Sequence, residues 1–234
     1  MKIESFPRKL FLFRNNLCMF AQTQNELHNM KHMSILAVSL LALVACTPEK
    51  KQEADYSQYV NPMIGTDFTG NTYPGAQLPF GMVQLSPDNG LPGWDRISGY
   101  FYPDTTIAGF SHTHLSGTGA GDLYDISFMP VTRPYKEAPA PLGIYSTFSH
   151  NDEAASAGYY RVLLKDYNIN VELTATERCG IQRYTFPEAE ASVFLNLKKA
   201  MNWDFTLDSK IEVVDSTTIR GYRLSQGWSP LQHV

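Results

Sequence analysis

From residue 158 onward, polar and apolar positions alternate with the two-residue period of a half-buried strand. Ile169, Val171 and Leu173 alternate with Asn168, Asn170, Glu172 and Thr174, and Ile211 and Val213 flank Glu212. Runs of this kind recur at 159–164, 168–175, 180–186, 192–197, 210–214 and 217–224, the spacing of a β meander. No window there carries a helical apolar stripe. Upstream, residues 80–87 and 122–131 read as strands, and Tyr59-Val60 as a short strand entering an Asn61-Pro62 turn. Residues 67–76 and 88–95 are turn-rich loops, 132–143 is a Pro-rich connection, and 152–157 has room for one helical turn. The pattern predicts an all-β chain built as an antiparallel β-sandwich.

Composition agrees, with 16 Gly and 14 Pro in 234 residues to supply turns. A net charge of −4 with no basic excess argues against a nucleic-acid partner. The three cysteines, Cys18, Cys46 and Cys179, are too widely spaced for a disulfide framework or a zinc knuckle. Lys31-His32 precedes an apolar run, 33–45, that ends in Leu43-Val44-Ala45-Cys46. A basic start, a dozen apolar residues and small residues at the end make a secretory signal, too short for a permanent span. The ending resembles a bacterial lipobox, which implies cleavage before Cys46 and lipid attachment there. Thr47 rather than Asp follows it, so the expected location is the outer membrane, on its periplasmic or cell-surface side. The expected organisation is a start-site overrun at 1–29, a signal peptide at 30–45, a polar tether at 46–58 and the folded domain at 59–234.

Two stretches carry candidate chemistry. Residues 109–121, Gly-Phe-Ser-His-Thr-His-Leu-Ser-Gly-Thr-Gly-Ala-Gly, hold two of the six histidines. If the first half is extended, His112 and His114 share a face. The glycine run exposes bare backbone, which fits a loop that approaches a ligand closely. It equally fits a tight turn whose histidines bond backbone. The second stretch is Trp94-Asp95, followed by Arg96, Tyr100, Tyr102 and Asp104. Trp94 is either a lid on the core or a stacking platform. Aromatic faces beside Asp, Arg and His suit a sugar: the ring covers its C–H face and the polar groups take its hydroxyls. Two histidines without a third ligand make a weak zinc site and a poor calcium site.

Asn61-Pro-Met-Ile-Gly-Thr, the 74–88 run Pro-Gly-Ala-Gln-Leu-Pro-Phe-Gly-Met-Val-Gln-Leu-Ser-Pro-Asp, Ser98-Gly-Tyr and the 109–119 block together resemble the N-terminal part of glycoside hydrolase family 92. The resemblance runs from about Tyr59 to Val234. It implies an enzyme with an N-terminal β-sandwich and a larger (α/α)6 barrel domain, and a substrate site between them. It implies exo-acting, inverting, calcium-dependent α-mannosidase activity on mannose-containing glycans, often α-1,2-linked in N-glycans. It places the acid, the base and most calcium contacts in the barrel domain, so Asp95, Asp104, Asp122 and Glu172 are not assigned catalytic roles and no metal ligand is expected in this chain. Substrate contact falls to Trp94 and Asp95, with His112 and His114 lining the site. Gln232-His233-Val234 reads as the start of another strand, so the expected chain is a sandwich cut before its partner domain. Two alternatives remain: a carbohydrate-binding surface lipoprotein without catalysis, and a zinc protein.

Overall fold

The computed structural model describes residues 54–117, 119–139, 142–198, 204–228 and 232–233. The signal, Cys46 and most of the tether lie outside them. Among the described residues there is no α-helix, only sixteen strands and three short 3-10 turns. In chain order the first strands are β1 (Ala76–Gln77), β2 (Gln84–Asp88), β3 (Thr106–Ile107), β4 (Gly109–Ser111) and β5 (Ser127–Thr132). Three two-residue strands follow, β6 (Glu137–Ala138), β7 (Gly143–Ile144) and β8 (Ser146–Thr147). The meander is β9 (Glu153–Ser156), β10 (Tyr159–Leu164), β11 (Ile169–Ala175), β12 (Gly180–Thr185) and β13 (Ala191–Asn196). A long hairpin, β14 (Phe205–Val213) and β15 (Ile219–Gln226), is joined by β16 (Gln232–His233).

Two antiparallel sheets form the sandwich. One has the order β1-β2-β4-β5-β13 and the other β12-β11-β10-β9. The period-two pattern places Tyr160, Val162 and Leu164 of β10 and Ile169, Val171 and Leu173 of β11 on one face. They pack against Leu85, Phe110, Met129 and Val131 of the opposite sheet in a single buried cluster. Burial of side chains of this size contributes about 1.5–3 kcal/mol each, the main term holding the sheets together. Asn168, at φ 52°, closes the β10–β11 hairpin in the left-handed conformation that Asn tolerates.

Four sequence expectations change. Residues 122–126 are not strand: Leu123, Tyr124 and Ile126 have φ of 83°, 63° and 54°, and β5 starts only at Ser127. Buried polar bonds, described below, hold that segment against its own extended preference. The predicted helical turn at 152–157 is instead a 3-10 turn at His150–Asp152, capped by Ser149 Oγ accepting from the Asn151 N–H, and then strand β9. Pairing of β9 with β10 outweighs the helical propensity of its alanines. Tyr59 and Val60 form no strand; a 3-10 turn at Ser57–Tyr59 leads directly into turns. In 80–87 only Gln84 onward is strand, because Leu78–Gly81 is a tight turn with Phe80 at φ 61°.

Candidate functional site

Pro92-Gly93 delivers the chain into a single 3-10 turn, Trp94–Arg96, through Gly93 at φ 151°. Two anchors fix this turn. Ile97 behind it is 1% exposed. Arg96 forks onto Asp104, Nε to Oδ2 at 2.6 Å and Nη2 to Oδ1 at 2.5 Å, and lies 4.8 Å above the Phe101 ring. A bidentate guanidinium–carboxylate pair sets direction as well as energy. The Asp104 bond pushes the guanidinium further above its ordinary value, so Arg96 stays charged. Trp94 is left 59% exposed, a ring presented outward rather than a lid on the core. Asp95 beside it is exposed.

The glycine run meets this ring, and the loop at 65–72 meets the glycine run. A β-carbon added at Gly119 would stand 3.2 Å from the Trp94 ring, so bare backbone of the glycine run lies against it. Gly117 N–H donates to the Asn71 carbonyl at 2.6 Å, tying that run to the loop at 65–72. Thr72 and Ser116, next to these two, line an open groove of about 460 Å³ shared with Asn61, Tyr73, Gln77 and Gly158. Val60, Pro62, Ile64, Pro79 and Ala157 make the rest of its wall mainly apolar, and an apolar wall with a few polar groups suits a small ligand such as a pyranose ring.

The histidines part company. His114 is 3% exposed; its Nδ1–H donates to the Gln84 carbonyl at 2.7 Å, and Nε2 lies 2.9 Å from Asp88 Oδ1 and 3.2 Å from Ser111 Oγ. Tyr73 and Tyr124 cover its ring at 5.0 and 5.8 Å between centroids. With both nitrogens engaged and the residue only 3% exposed, His114 acts on a sugar only by holding its neighbours. His112 is half-buried and donates Nδ1–H to the Ile126 carbonyl at 2.9 Å, with its ring edge against Phe128. Burial lowers its pKa, with the Ile126 bond opposing, so the neutral Nδ1–H form is favoured. Gly99 makes the room for His114: at φ 88°, a β-carbon there would meet Asp88 Oδ1 at 2.9 Å and the His114 ring at 3.0 Å. Gly99→Ala should therefore cost about 1–3 kcal/mol. Gly143→Ala, at φ 66° but with open space around it, should cost less. Urea unfolding of the two variants checks the order.

The other carboxylates are occupied structurally. Arg183 and Tyr159 bond Glu172 and hold its carboxyl below the ordinary value. Asp122 Oδ1 accepts the Trp228 backbone N–H at 2.8 Å. Sequence reading missed one cluster altogether. Arg223 of β15 bonds Asp125 and Asp204 at once, and Asp125 Oδ2 accepts from Thr113 Oγ1 at 2.9 Å. The partners stand 98 positions apart, beyond any local pattern; the one available cue was an arginine in the inward register of a strand.

The profile of the glycosyl hydrolase family 92 N-terminal domain matches residues 59–234. The chain belongs to family 92. As a family 92 domain it is similar to an α-mannosidase of the family from Bacteroides thetaiotaomicron, solved in complex with mannoimidazole, with 43% identity, a TM-score of 0.71 and coverage of 76% of this chain but 24% of that one. It also resembles the family's inverting mannosidase from Bacteroides thetaiotaomicron VPI-5482, at 26% identity and a TM-score of 0.58, covering 76% of this chain and 23% of that one. An uncharacterized secreted glycosidase of Arthroderma benhamiae is 27% identical over an alignment of 172 positions that covers 69% of this chain and 21% of that protein. The chain thus spans under a quarter of the length of each of these relatives.

Calcium, which the family resemblance implies, takes six to eight oxygen ligands. Among the described residues no group of three His, Cys, Asp or Glu is placed to hold a metal. The buried carboxylates Asp125 and Asp204 already close on the Arg223 guanidinium. The described carboxylates thus offer calcium no ready cluster of side-chain oxygens.

Proposed function

We propose that this family 92 domain is the sugar-binding wall of an exo-acting, inverting α-mannosidase, with mannose-containing glycans, α-1,2-linked ones foremost, as substrates. The observation that carries this is the outward Trp94 ring, fixed by the Arg96–Asp104 fork with the backbone of Gly119 against it. Inversion needs a carboxylic acid and a carboxylate about 6.5–9.5 Å apart, with room for water between them. Asp104 and Glu172 are held in ion pairs and Asp122 bonds the Trp228 backbone, so no such pair is offered at this groove by the carboxylates that sequence reading considered. The acid and base belong, on this reading, to the larger part of such an enzyme that the match does not reach, and so does any calcium. The chain's own task is to stack one sugar face on Trp94, to bond hydroxyls along the groove and to keep one side of the ring dry. Asp95, exposed next to Trp94, is placed to accept a hydroxyl hydrogen bond at the rim.

The test is direct. Incubated with α-1,2-mannobiose, the 234-residue chain will release no mannose. Methyl α-mannoside will change its tryptophan fluorescence, and methyl α-glucoside will do so far less. Mannose release by this chain, or an equal response to both sugars, contradicts the proposal. The lipobox-like ending at Cys46 supports placement of the domain at the outer membrane by a lipid anchor. Labelled palmitate incorporated by the wild type and not by Cys46→Ala checks that placement.

A further inference from the structure

Three carboxyl groups and one guanidinium are enclosed where the β14–β15 hairpin meets the loop before β5. Asp122, Asp125, Asp204 and Arg223 are 2%, 0%, 2% and 1% exposed. Arg223 donates to Asp125 Oδ1 and to Asp204 Oδ2, and its Nε donates to Thr206 Oγ1 at 3.0 Å. Ser225 Oγ donates to Asp125 Oδ1 at 3.1 Å, and Thr113 Oγ1 to Asp125 Oδ2 at 2.9 Å. Asp122 takes the Trp228 N–H. Asp204 Oδ1 is buried and meets no donor among the described residues.

Three ionised carboxylates facing one guanidinium would leave excess negative charge away from water. Enclosed carboxylates in that position give up charge by taking a proton. Asp204 is the member suited to do so, because among the described residues one of its oxygens meets no donor to stabilise charge on it. We propose that Asp204 carries a dissociable proton, and that the cluster is a proton-dependent latch fastening the β14–β15 hairpin to the sandwich.

What the latch holds is visible beside it. Ile211, Ile219 and Tyr222 of the hairpin lie across from Ile126, Phe128 and Leu195 over an apolar groove of about 290 Å³. Ile211, Ile219 and Tyr222 are themselves part exposed, so the buried cluster rather than this groove is what holds the hairpin down. The groups facing Asp204 are Arg223, which favours its charged form, and Asp125 and Asp122, which oppose it. Burial is the largest influence, and the balance raises the Asp204 carboxyl above its ordinary value. A carboxyl raised on folding stabilises most below the unfolded value of 3.8, and that stability is lost as pH rises through the folded value. Each unit of displacement changes the folding equilibrium by about tenfold.

Carboxyl carbon NMR of the 234-residue chain, titrated from about pH 3 to 8, needs no variant. Asp204 will titrate above the ordinary aspartate value. Titration at or below the ordinary aspartate value overturns the proposal. Urea unfolding of wild type and Asp204→Asn over the same range gives the second readout. The wild type will lose stability relative to the variant as pH rises, and amides of 220–226 will lose exchange protection before those of Val162 and Ile169. Parallel pH profiles, or hairpin amides that follow the core, overturn it as well.

Discussion

Replacing Arg223 by Met will lower the unfolding free energy of the chain by about 3–5 kcal/mol. The methionine fills most of the space of the arginine stem but leaves Asp125 and Asp204 enclosed without their cation, and breaking a buried pair from one side carries that full penalty. Domains of this size hold only about 5–15 kcal/mol in all, so the variant will be partly unfolded under mild conditions. The damage will extend beyond the hairpin. Asp125 also fixes Thr113 and the segment in which Leu123, Tyr124 and Ile126 adopt left-handed backbone, a conformation costing about 1–3 kcal/mol per residue unless its surroundings enforce it. The control is Arg183→Met. Its ion pair with Glu172 has an arginine side chain 71% exposed, and such pairs contribute no more than about 1 kcal/mol. Urea midpoints of the two variants compare a buried and an exposed arginine in one domain; equal losses would refute the clamp.

Trp94→Ala will abolish most mannoside binding while leaving the fold intact. The ring is 59% exposed, so its loss removes only part of a side chain's burial, and the unfolding free energy should fall by no more than about 1–2 kcal/mol. As a stacking surface for a sugar it behaves as a binding hot spot, worth about 2 kcal/mol or more, which is roughly a thirtyfold loss of affinity. Calorimetric titration with methyl α-mannoside, beside thermal unfolding of the same sample, separates the two effects. Unchanged affinity would remove Trp94 from the site. Large destabilisation would return it to the core.

The sandwich was legible in the sequence wherever one face of a strand is buried and the other wet. β10, β11 and β12 lie within a residue or so of their predicted limits, because the alternation of Ile169, Val171 and Leu173 with polar neighbours is itself the physical cause of the strand. The reading failed where long-range polar contacts dictate backbone. Leu-Tyr-Asp-Ile at 123–126 looks like strand, yet its conformation is set by Thr113, His112 and Arg223, which arrive from elsewhere in the chain. The β14 strand is longer than its pattern, since Phe205, Leu207 and Ile211 are all exposed and give no clean alternation. At the candidate site, the aromatic and its acidic neighbour could be named from the sequence. The meeting of Gly117 with Asn71, and of Gly119 with Trp94, could not, because glycine carries no side-chain signal of what it approaches. His112 and His114 were paired by spacing alone; the fold gives each a separate set of partners.

The central claim is that the loop end edged by Trp94 faces mannose. Amide and indole NMR of the uniformly labelled chain, titrated with methyl α-mannoside, tests it most directly. The account predicts that the Trp94 indole and the amides of Asn71, Thr72, Gly117 and Gly119 shift together along one saturating curve, while hairpin residues 205–226 stay still. Shifts confined to the hairpin, or a Trp94 indole unmoved at saturating sugar, would contradict it.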